Sequence, residues 1–382
     1  MEQIEPQSQS KKAKTGFITR YLKPIFDALL VPVLAVLTAM IVGALVIAAA
    51  KGNPLAAYAG LFEGALGSLR ALSETTVWAT PYIFAGLAVA LAFKGGLFNI
   101  GAEGQLALGA VASAWVGYRL PELLGANIPT VIHLPLTIGA GMLAGAAWGA
   151  IPGWLKAKTG SHEVINTIMM NYIALNLVSY LLNGPWKDPD PLNVIARTPM
   201  IAESARIPAI FSHYRFHWGF ILALIVAYLV YWLLWKTTLG FEIRTAGANP
   251  DAAKYAGINV SRTIILTMTI SGMLAGMAGA IEVTALNYRH ELGFSQGYGF
   301  DAIAIALLGK SHPLGAVFAA LLFGAMRNGA TRMQFLTQIP VDVISVIQAL
   351  ILLFVAADAI VRFIYRIKAP SEQVVLTRGW GK

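Results

Sequence analysis

Long runs of apolar residues, separated by short polar stretches, make up most of the chain. An apolar run of about 20 residues is long enough to cross the hydrocarbon core of a bilayer as an α-helix. Ten runs are interpreted in this way: Leu29–Ala50, Val77–Phe93, Leu97–Tyr118, Val131–Ile151, Glu163–Asn183, Trp218–Trp235, Thr263–Ala285, Phe300–Leu308, Pro313–Ala330 and Pro340–Ile360. The run Phe300–Leu308 is too short to cross alone as a regular helix. The pattern predicts an all-α polytopic membrane protein with about ten transmembrane helices.

The polar stretches at the two ends of the chain predict tails on either side of one membrane domain. Residues 1–28 carry five Lys and Arg residues, and no small-residue cleavage site follows a short apolar core, so a signal peptide is not expected. We therefore expect a cytoplasmic N-terminal tail at 1–28, a transmembrane domain at 29–361 and a cytoplasmic C-terminal tail at 362–382.

The composition agrees with a membrane protein. Hydrophobic residues make up 57% of the chain and charged residues 12%, whereas an average soluble domain is about 25% charged. This excludes a soluble enzyme and a disordered chain. The absence of Cys excludes disulfides and thiolate metal sites.

The net charge of +9 is explained by membrane orientation. When the N-terminus is placed inside, 18 of the 28 Lys and Arg residues fall on the inner side and 10 on the outer side. Positive residues concentrate on the cytoplasmic side of membrane proteins. The bias predicts that both termini are inside, and it requires no nucleic-acid partner; the expected surroundings are membrane lipids.

Two stretches of the chain resemble one another, residues 97–109 and 297–309. Each places one acid among Gly and Ala after an apolar helix, Glu103 in the first stretch and Asp301 in the second. The helices that precede them run in opposite directions in the expected topology. This pattern is typical of an inverted repeat, here of the second to fifth and seventh to tenth helices, at about 77–183 and 263–360.

Glu103 is the most informative polar residue within the apolar runs. A carboxylate near the bilayer centre costs about 2.5–3.5 kcal/mol on insertion scales, and the surrounding glycines weaken a regular helix. A broken helix at this depth is tolerated where it lines a cavity or is buried in protein. Glu103 therefore either lines a pathway, together with Asn99 and Gln105, or caps a helix end.

Other polar residues extend this candidate pathway. Asn166 and Asn171 lie on one apolar helix, where such side chains often form interhelical hydrogen bonds. Asp301 begins a short span and is well placed as an N-cap. The candidate substrate-pathway residues are Asn99, Glu103, Gln105, Asn166, Asn171 and Asp301.

The polar loop at 237–262 predicts a short helix at about 250–256. Asn249 is a suitable N-cap followed by Pro250 at the first helical position, and Gly257 is suited to end the helix. Ala252, Ala253 and Ala256 are expected to form a small exposed face. Such a helix either docks on a partner or is a solvated connector.

No motif for catalysis or metal binding is present in the sequence. Gly309-Lys310-Ser311 lacks the earlier glycine of a phosphate-binding loop. His213 and His217 are four residues apart, but no carboxylate completes a metal site. We expect neither enzymatic activity nor a cofactor or metal in this chain.

Several motifs together resemble the permeases of ABC importers in the branched-chain amino acid and simple-sugar class, and most of all the general nucleoside permeases. These motifs span about residues 77 to 330. They are Lys94-Gly-Gly-Leu-Phe-Asn-Ile-Gly-Ala-Glu-Gly-Gln, Glu163-Val-Ile-Asn-Thr-Ile-Met-Met-Asn-Tyr, Asn183-Gly-Pro-Trp and Gly247-Ala-Asn-Pro-Asp-Ala-Ala-Lys-Tyr-Ala-Gly-Ile.

The resemblance implies a multi-pass subunit of the bacterial inner membrane with three kinds of protein partner. These are a separate ABC ATPase subunit that binds the ATP, a second permease in a heterodimer, and an extracytoplasmic nucleoside-binding lipoprotein. The loop at 237–262 would be the coupling loop. The residues assigned to ATPase coupling are Arg244, Asn249, Ala252, Ala253, Gly257 and Ile258. The loop lacks the Glu and the Leu-Pro of the standard coupling motif.

Two functions are compatible with these features. The first is the transmembrane permease of an ATP-driven importer, which moves nucleosides or simple sugars by alternating access. The second is an ion-coupled secondary transporter of small polar solutes that uses Glu103 or Asp301, as inverted repeats and broken helices also suggest.

Overall fold

The computed structural model describes residues 23–125, 128–190, 194–211, 213–295, 297–340 and 342–367. Most of the two expected tails, at 1–22 and 368–382, lies outside the described residues. Within these ranges the chain is helical, and β-pairing is limited to the isolated bridges Arg197–Glu291 and Ala209–His217.

The described ranges contain fourteen α-helices. They are α1 Lys23–Ala49, α2 Pro54–Leu66, α3 Leu69–Lys94, α4 Ala102–Leu124, α5 Thr130–Thr159, α6 Glu163–Asn183, α7 Trp218–Lys236, α8 Thr238–Ala248, α9 Pro250–Tyr255, α10 Val260–Glu282, α11 Tyr298–Leu308, α12 Pro313–Thr337, α13 Asp342–Ala356 and α14 Asp358–Ile364. A π-helical turn, Val283–Asn287, continues α10, and a 3₁₀ turn, Glu203–Ala205, lies in the long connection before α7.

The all-α, multi-pass membrane character is confirmed. Among the described residues, seven helices are long and apolar enough to cross a membrane: α1 (from Leu30), α3, α5, α6, α7, α10 with its π turn, and α12. Three of the predicted spans fall outside this group, namely α4, α11 and α13. At 1.5 Å per residue, the 11 residues of α11 rise about 16 Å, roughly half of a bilayer core.

Several helix boundaries differ from those expected from the sequence. The helix α2 lies in a stretch expected to be a loop, where Asn53 caps it by accepting the amides of Leu55 and Ala56. The helix α3 begins at Leu69 instead of Val77. The last predicted span is divided between α13 and α14 at Ala357, and α14 runs past the expected end of the membrane domain at 361.

Glycines allow α5 and α10 to pack backbone against backbone. A Cβ built on Gly145 would lie 2.3 Å from the carbonyl oxygen of Gly272, and one on Gly276 would lie 2.3 Å from that of Gly141. Such spacing of small residues along two helices is the usual device for close packing in lipid, where apolar side chains gain little by associating. The backbones of α5 and α10 are therefore in direct contact along several turns.

In each of the two resembling halves, the first helix packs on helices of the other half. The helix α10 packs on α5 and α4, and the corresponding helix α3 packs on α12 and α11, while α3 and α10 also contact each other. This brings the starts of α4 and α11 together in the interior of the bundle. One end of the bundle holds α8 and α9 and is called the coupling end; the opposite end, with the connection 184–217, is called the far end.

Candidate substrate pathway and coupling region

The first turns of α4 and α11 meet at Glu103. The carboxylate Oε2 of Glu103 accepts the backbone N–H of Gly299 at 2.7 Å, and the Ser295 hydroxyl donates to Oε1. A Cβ on Gly299 would lie 2.2 Å from the Glu103 nitrogen, so the two backbones are in direct contact. The first amides of a helix have no partner within the helix and attract negative charge. Glu103 therefore caps α11 from a different helix.

Asn171 caps the start of α4 in the same manner. Its Oδ1 accepts the N–H of Gly104 at 2.8 Å, and its Nδ2 donates to the carbonyl of Ile100 at 2.8 Å. The side chain belongs to α6, is buried and bridges the last residues before α4 and its first turn. Asn171 thus fixes the chain where the helix is broken.

Asn99 and Gln105 complete a buried network around this break. Asn99 Nδ2 donates to Gln105 Oε1 and to Ser271 Oγ, both at 2.8 Å, and Asn99 Oδ1 accepts the N–H of Gly101 at 3.1 Å. Ser271 on α10 donates in turn to the carbonyl of Ala88 on α3 at 2.7 Å. The network holds together the helix ends at this break. The capping alternative for Glu103 thus has a geometric basis, and its lining of a pathway stays a prediction.

The two remaining candidates lie apart from this network. Asn166 donates to Ser161 Oγ at 2.7 Å near the start of α6 and is partly exposed. Asp301 Oδ2 accepts the hydroxyl of Tyr82 at 2.7 Å. The expectation that Asp301 is the N-cap was wrong, because α11 begins earlier, after Gly297 with a φ of +86°.

A polar cavity of about 300 Å³ lies beside this junction, between α3, the end of α10 and the start of α11. Its lining residues are Val77, Trp78, Arg215, Glu282, Leu286, Asn287, Glu291, Leu292, Gly293, Phe294 and Tyr298. Glu282 is 6% exposed, and its Oε1 accepts Asn287 Nδ2 at 3.2 Å. Its Oε2 has no hydrogen-bond partner among the described residues.

The sequence did not predict this cavity, although two of its lining residues are noticeable in the apolar runs. Glu282 is a lone acid at the end of an apolar helix, and Trp78 is an aromatic residue within an apolar run. Asn287 and Tyr298 join them because the chain folds back between α10 and α11, and Arg215 comes from the connection before α7. None of these five belonged to the predicted pathway.

At the coupling end, the predicted short helix is confirmed as α9. The Asn249 side chain accepts the amides of Asp251 and Ala252, each at 3.0 Å, and Gly257 follows the helix with a φ of +83°. Ala252 and Ala256 are exposed, as expected. Ala253 is fully buried, so its place in an exposed face was wrong. The residue lies on the side of α9 that faces the rest of the protein, where α9 contacts α8 and α10.

Arg244 and Ile258 are the other two predicted coupling residues. Arg244 Nε donates to the carbonyl of Leu234 at 2.9 Å, and its guanidinium lies 5.9 Å from the ring centre of Trp235. A cation at this position satisfies the last carbonyls of α7. Ile258 is partly buried, and its N–H donates to the carbonyl of Ala253. Both residues therefore stabilise the local fold through these hydrogen bonds.

The coupling loop touches the turn that leads into the buried network. A Cβ on Gly247 would lie 2.3 Å from the carbonyl oxygen of Lys94, and one on Gly96 would lie 2.8 Å from that of Gly247. Gly96 has a φ of +69°, which favours glycine. The turn at 94–96 directly precedes Asn99. Backbone contact thus connects α8 with the turn that leads toward the start of α4.

Two buried histidines shape the far end. Burial lowers the pKa of His217 to about 4, with the positive charge of Arg215 adding to the effect, and lowers the pKa of His290 to about 3. His213 is exposed. Within the described residues no group of three or more His, Cys, Asp or Glu side chains is arranged to hold a metal ion.

Comparison with known proteins agrees with the motif-based resemblance. Residues 71–356 match the family described as branched-chain amino acid transport system permease component. The chain is 41% identical to the guanosine ABC transporter permease protein NupP of Bacillus subtilis (strain 168), over 88% of this chain and 95% of that protein. It is 36% identical to the nucleoside ABC transporter permease protein NupB of Lactococcus lactis subsp. cremoris, over 91% of this chain and 94% of that protein.

A third relative is named for a sugar. The glucose ABC transporter permease protein TsgB13 of Haloferax volcanii is 35% identical, over 85% of this chain and 86% of that protein. The first two organisms each also have a second, less similar permease named for the same substrate. No solved structure matches the chain.

Proposed function

The chain belongs to the family of branched-chain amino acid transport system permease components, and we propose that it is the permease subunit of an ATP-driven importer for nucleosides. The observation that carries the proposal is the similarity, over almost their whole length, to two permeases named for guanosine and for nucleosides. The relative named for glucose keeps a simple sugar as the second candidate substrate.

The polar cavity favours the nucleoside. It has flat aromatic residues, Trp78 and Tyr298, and a carboxylate, Glu282, within one space of about 300 Å³. Aromatic side chains bind bases by stacking, and a carboxylate accepts hydrogen bonds from ribose hydroxyls. A substrate with both a flat base and a sugar uses both kinds of group.

The proposed topology is that of about ten transmembrane helices in the bacterial inner membrane, with both termini inside. The crosswise packing of α3 with α11 and α12, and of α10 with α4 and α5, supports an inverted repeat at about 77–183 and 263–360. In this orientation α8 and α9 are cytoplasmic and the far end is extracytoplasmic. The excess of Lys and Arg on the coupling side supports the same orientation.

A separate ATPase subunit docks on α8 and α9 and supplies the energy. Tyr255 on α9 is 97% exposed and Phe241 on α8 is 56% exposed, and large apolar side chains left exposed mark interaction surfaces. ATP is bound by that subunit, and this chain carries no cofactor. When the ATPases close, α8 moves and the contact of Gly247 with the 94–96 turn passes the movement to α4.

Two further partners complete the importer. A second permease faces this chain across the pathway, as the pairs of permeases in the two bacteria suggest. An extracytoplasmic lipoprotein delivers the nucleoside to the far end. The residues Asn99, Glu103, Gln105, Asn166, Asn171 and Asp301 border the route and position the helix ends along it.

The test is transport by the reconstituted complex. The chain is purified with its co-expressed neighbours, and uptake of labelled guanosine into proteoliposomes is measured with and without ATP. We expect an ATPase to co-purify and uptake to require ATP, with an ATPase subunit unable to hydrolyse ATP as the matched control. Uptake by this chain alone, driven by a proton or sodium gradient, would instead establish the secondary transporter.

A further inference from the structure

We propose that the cavity between α3, the end of α10 and the start of α11 is a nucleoside-binding site, in which Glu282 accepts a hydrogen bond from a sugar hydroxyl. The inference rests on the proposed function, because it names the residues that recognise the transported nucleoside. The site is separate from the network around Glu103, in which each cap already has its partners.

Glu282 is placed as a binding group with one free position. The residue is 6% exposed, and Asn287 Nδ2 occupies its Oε1 at 3.2 Å. The buried Oε2 has no hydrogen-bond partner among the described residues. Leaving a buried carboxylate oxygen unsatisfied is costly, and an ionisable residue within a transmembrane helix marks a substrate path by default. Glu282 also lines the cavity, whose volume of about 300 Å³ admits a ligand able to supply the missing hydrogen bond.

The opposite parts of the cavity suit a flat base. Trp78 contributes from α3, with the guanidinium of Arg327 at 5.9 Å from its ring centre. Tyr298 contributes from α11 and is buried, with the ring of Tyr82 set edge-on at 4.8 Å and 86°. Because Tyr298 is only 2% exposed, the partly buried Trp78 offers the ring that is available for stacking. The volume of about 300 Å³ is within the range of small-molecule sites.

Charged residues of both signs surround the cavity. Glu282 and Glu291 line it together with Arg215, which is engaged with Glu74 at 3.1 Å. Glu291 lies 3.9 Å from Arg197 and 3.4 Å from Arg289. The site therefore offers carboxylate acceptors to the hydroxyls of an uncharged nucleoside, with the charge of Glu291 already balanced by arginines.

The experiment combines one variant of the protein with one change of the ligand, so that four uptake rates are compared. ATP-dependent initial uptake of guanosine and of 2′,3′-dideoxyguanosine is measured at low concentration in proteoliposomes that hold the complete complex, with wild type or Glu282→Gln. For each ligand, the uptake rate of the wild type is divided by that of the variant. Any preference of the delivering lipoprotein for one ligand is the same in both rates and cancels in this ratio. A hydrogen bond to a charged group is worth roughly a factor of ten or more. We expect a ratio of about ten or above for guanosine and close to one for the dideoxy compound.

Two controls identify what the variant changes. Glu122→Gln alters an exposed acid at the far end of α4, paired with Arg119, and should give ratios near one for both ligands. The Tm of the Glu282→Gln complex should not fall below that of wild type, because a neutral amide is cheaper to bury than an unpaired charge.

Two results would overturn the site. They are guanosine uptake by Glu282→Gln at the wild-type rate, and an equal loss of uptake for both ligands, with or without a lowered Tm. A wild-type complex that transports no nucleoside would contradict the proposed function itself, and the site with it, which separates the two failures.

Discussion

The carboxylate of Glu103 on α4 and the backbone amide of Gly299 on α11 are joined by a hydrogen bond of 2.7 Å, although 196 residues separate them in the chain. The bond makes each of two broken helices depend on the other. Because the two helices belong to the two resembling halves, it also ties those halves together where they meet inside the bundle.

Replacing Glu103 tests this tie. Glu103→Ala removes the acceptor for the first turn of α11 and should lower stability by about 1–2 kcal/mol, the usual cost of losing an N-terminal cap. Glu103→Gln keeps one acceptor oxygen and should lose less. The thermal stability of the purified complex measures both. Wild-type stability of Glu103→Ala together with lost transport would assign Glu103 to the pathway instead.

Gly276→Ala tests the backbone packing of α10 on α5. The new Cβ would lie 2.3 Å from the carbonyl oxygen of Gly141, and overpacking of this kind costs about 1–3 kcal/mol. Gly139→Ala is the matched control, because a Cβ there meets no atom within 4 Å. We expect a lower Tm for the first variant and an unchanged or higher Tm for the second. Equal Tm values would mean that the two helices are not this close.

Gly247→Ala tests the transmission of movement from the coupling loop. Its Cβ would lie 2.3 Å from the carbonyl oxygen of Lys94 and push α8 away from the 94–96 turn, again at about 1–3 kcal/mol. The exposed surface of α9 is unchanged, so the ATPase should still co-purify. The number of nucleosides transported per ATP hydrolysed should fall. A variant with wild-type coupling would show that the contact carries no movement.

Two buried histidines, His217 and His290, predict a pH dependence of stability. Their folded pKa values, about 4 for His217 and about 3 for His290, lie below the ordinary value of 6.5. The unfolded chain therefore binds more protons below pH 6.5, so stability is complete above that pH and decreases as the pH falls toward 4. At 1.36 kcal/mol per pH unit, each histidine lowers stability by about 2 kcal/mol at pH 5.

Thermal unfolding at pH 7.5 and pH 5 measures this effect. His290→Phe retains an aromatic ring beside Phe294, which lies 4.3 Å from the ring centre of His290, and removes the titrating group. The variant should lose less stability than wild type between the two pH values. The exposed His213 serves as the control position, where His213→Gln should leave the pH dependence unchanged.

The sequence by itself determined the membrane-spanning class and the local elements whose signals are short-range. The apolar runs predicted most of the long helices, and α11 is short, as the length of the run Phe300–Leu308 indicated. Asn249 and Gly257 placed the ends of α9, because caps act within one or two turns. The small α2 was missed, because its 13 residues fall short of the about 20 that a membrane-crossing helix needs.

Only the tertiary structure decided what each buried acid does. Glu103 and Glu282 are both lone carboxylates among apolar residues, and no local pattern separates them. In the fold, Glu103 has the Ser295 hydroxyl and the Gly299 amide as partners. Glu282 instead lines a cavity, and its buried Oε2 has no hydrogen-bond partner among the described residues. The physical reason is that a hydrogen bond depends on distance in space and not on distance along the chain. For Glu103, the partner Gly299 is 196 residues away in the sequence.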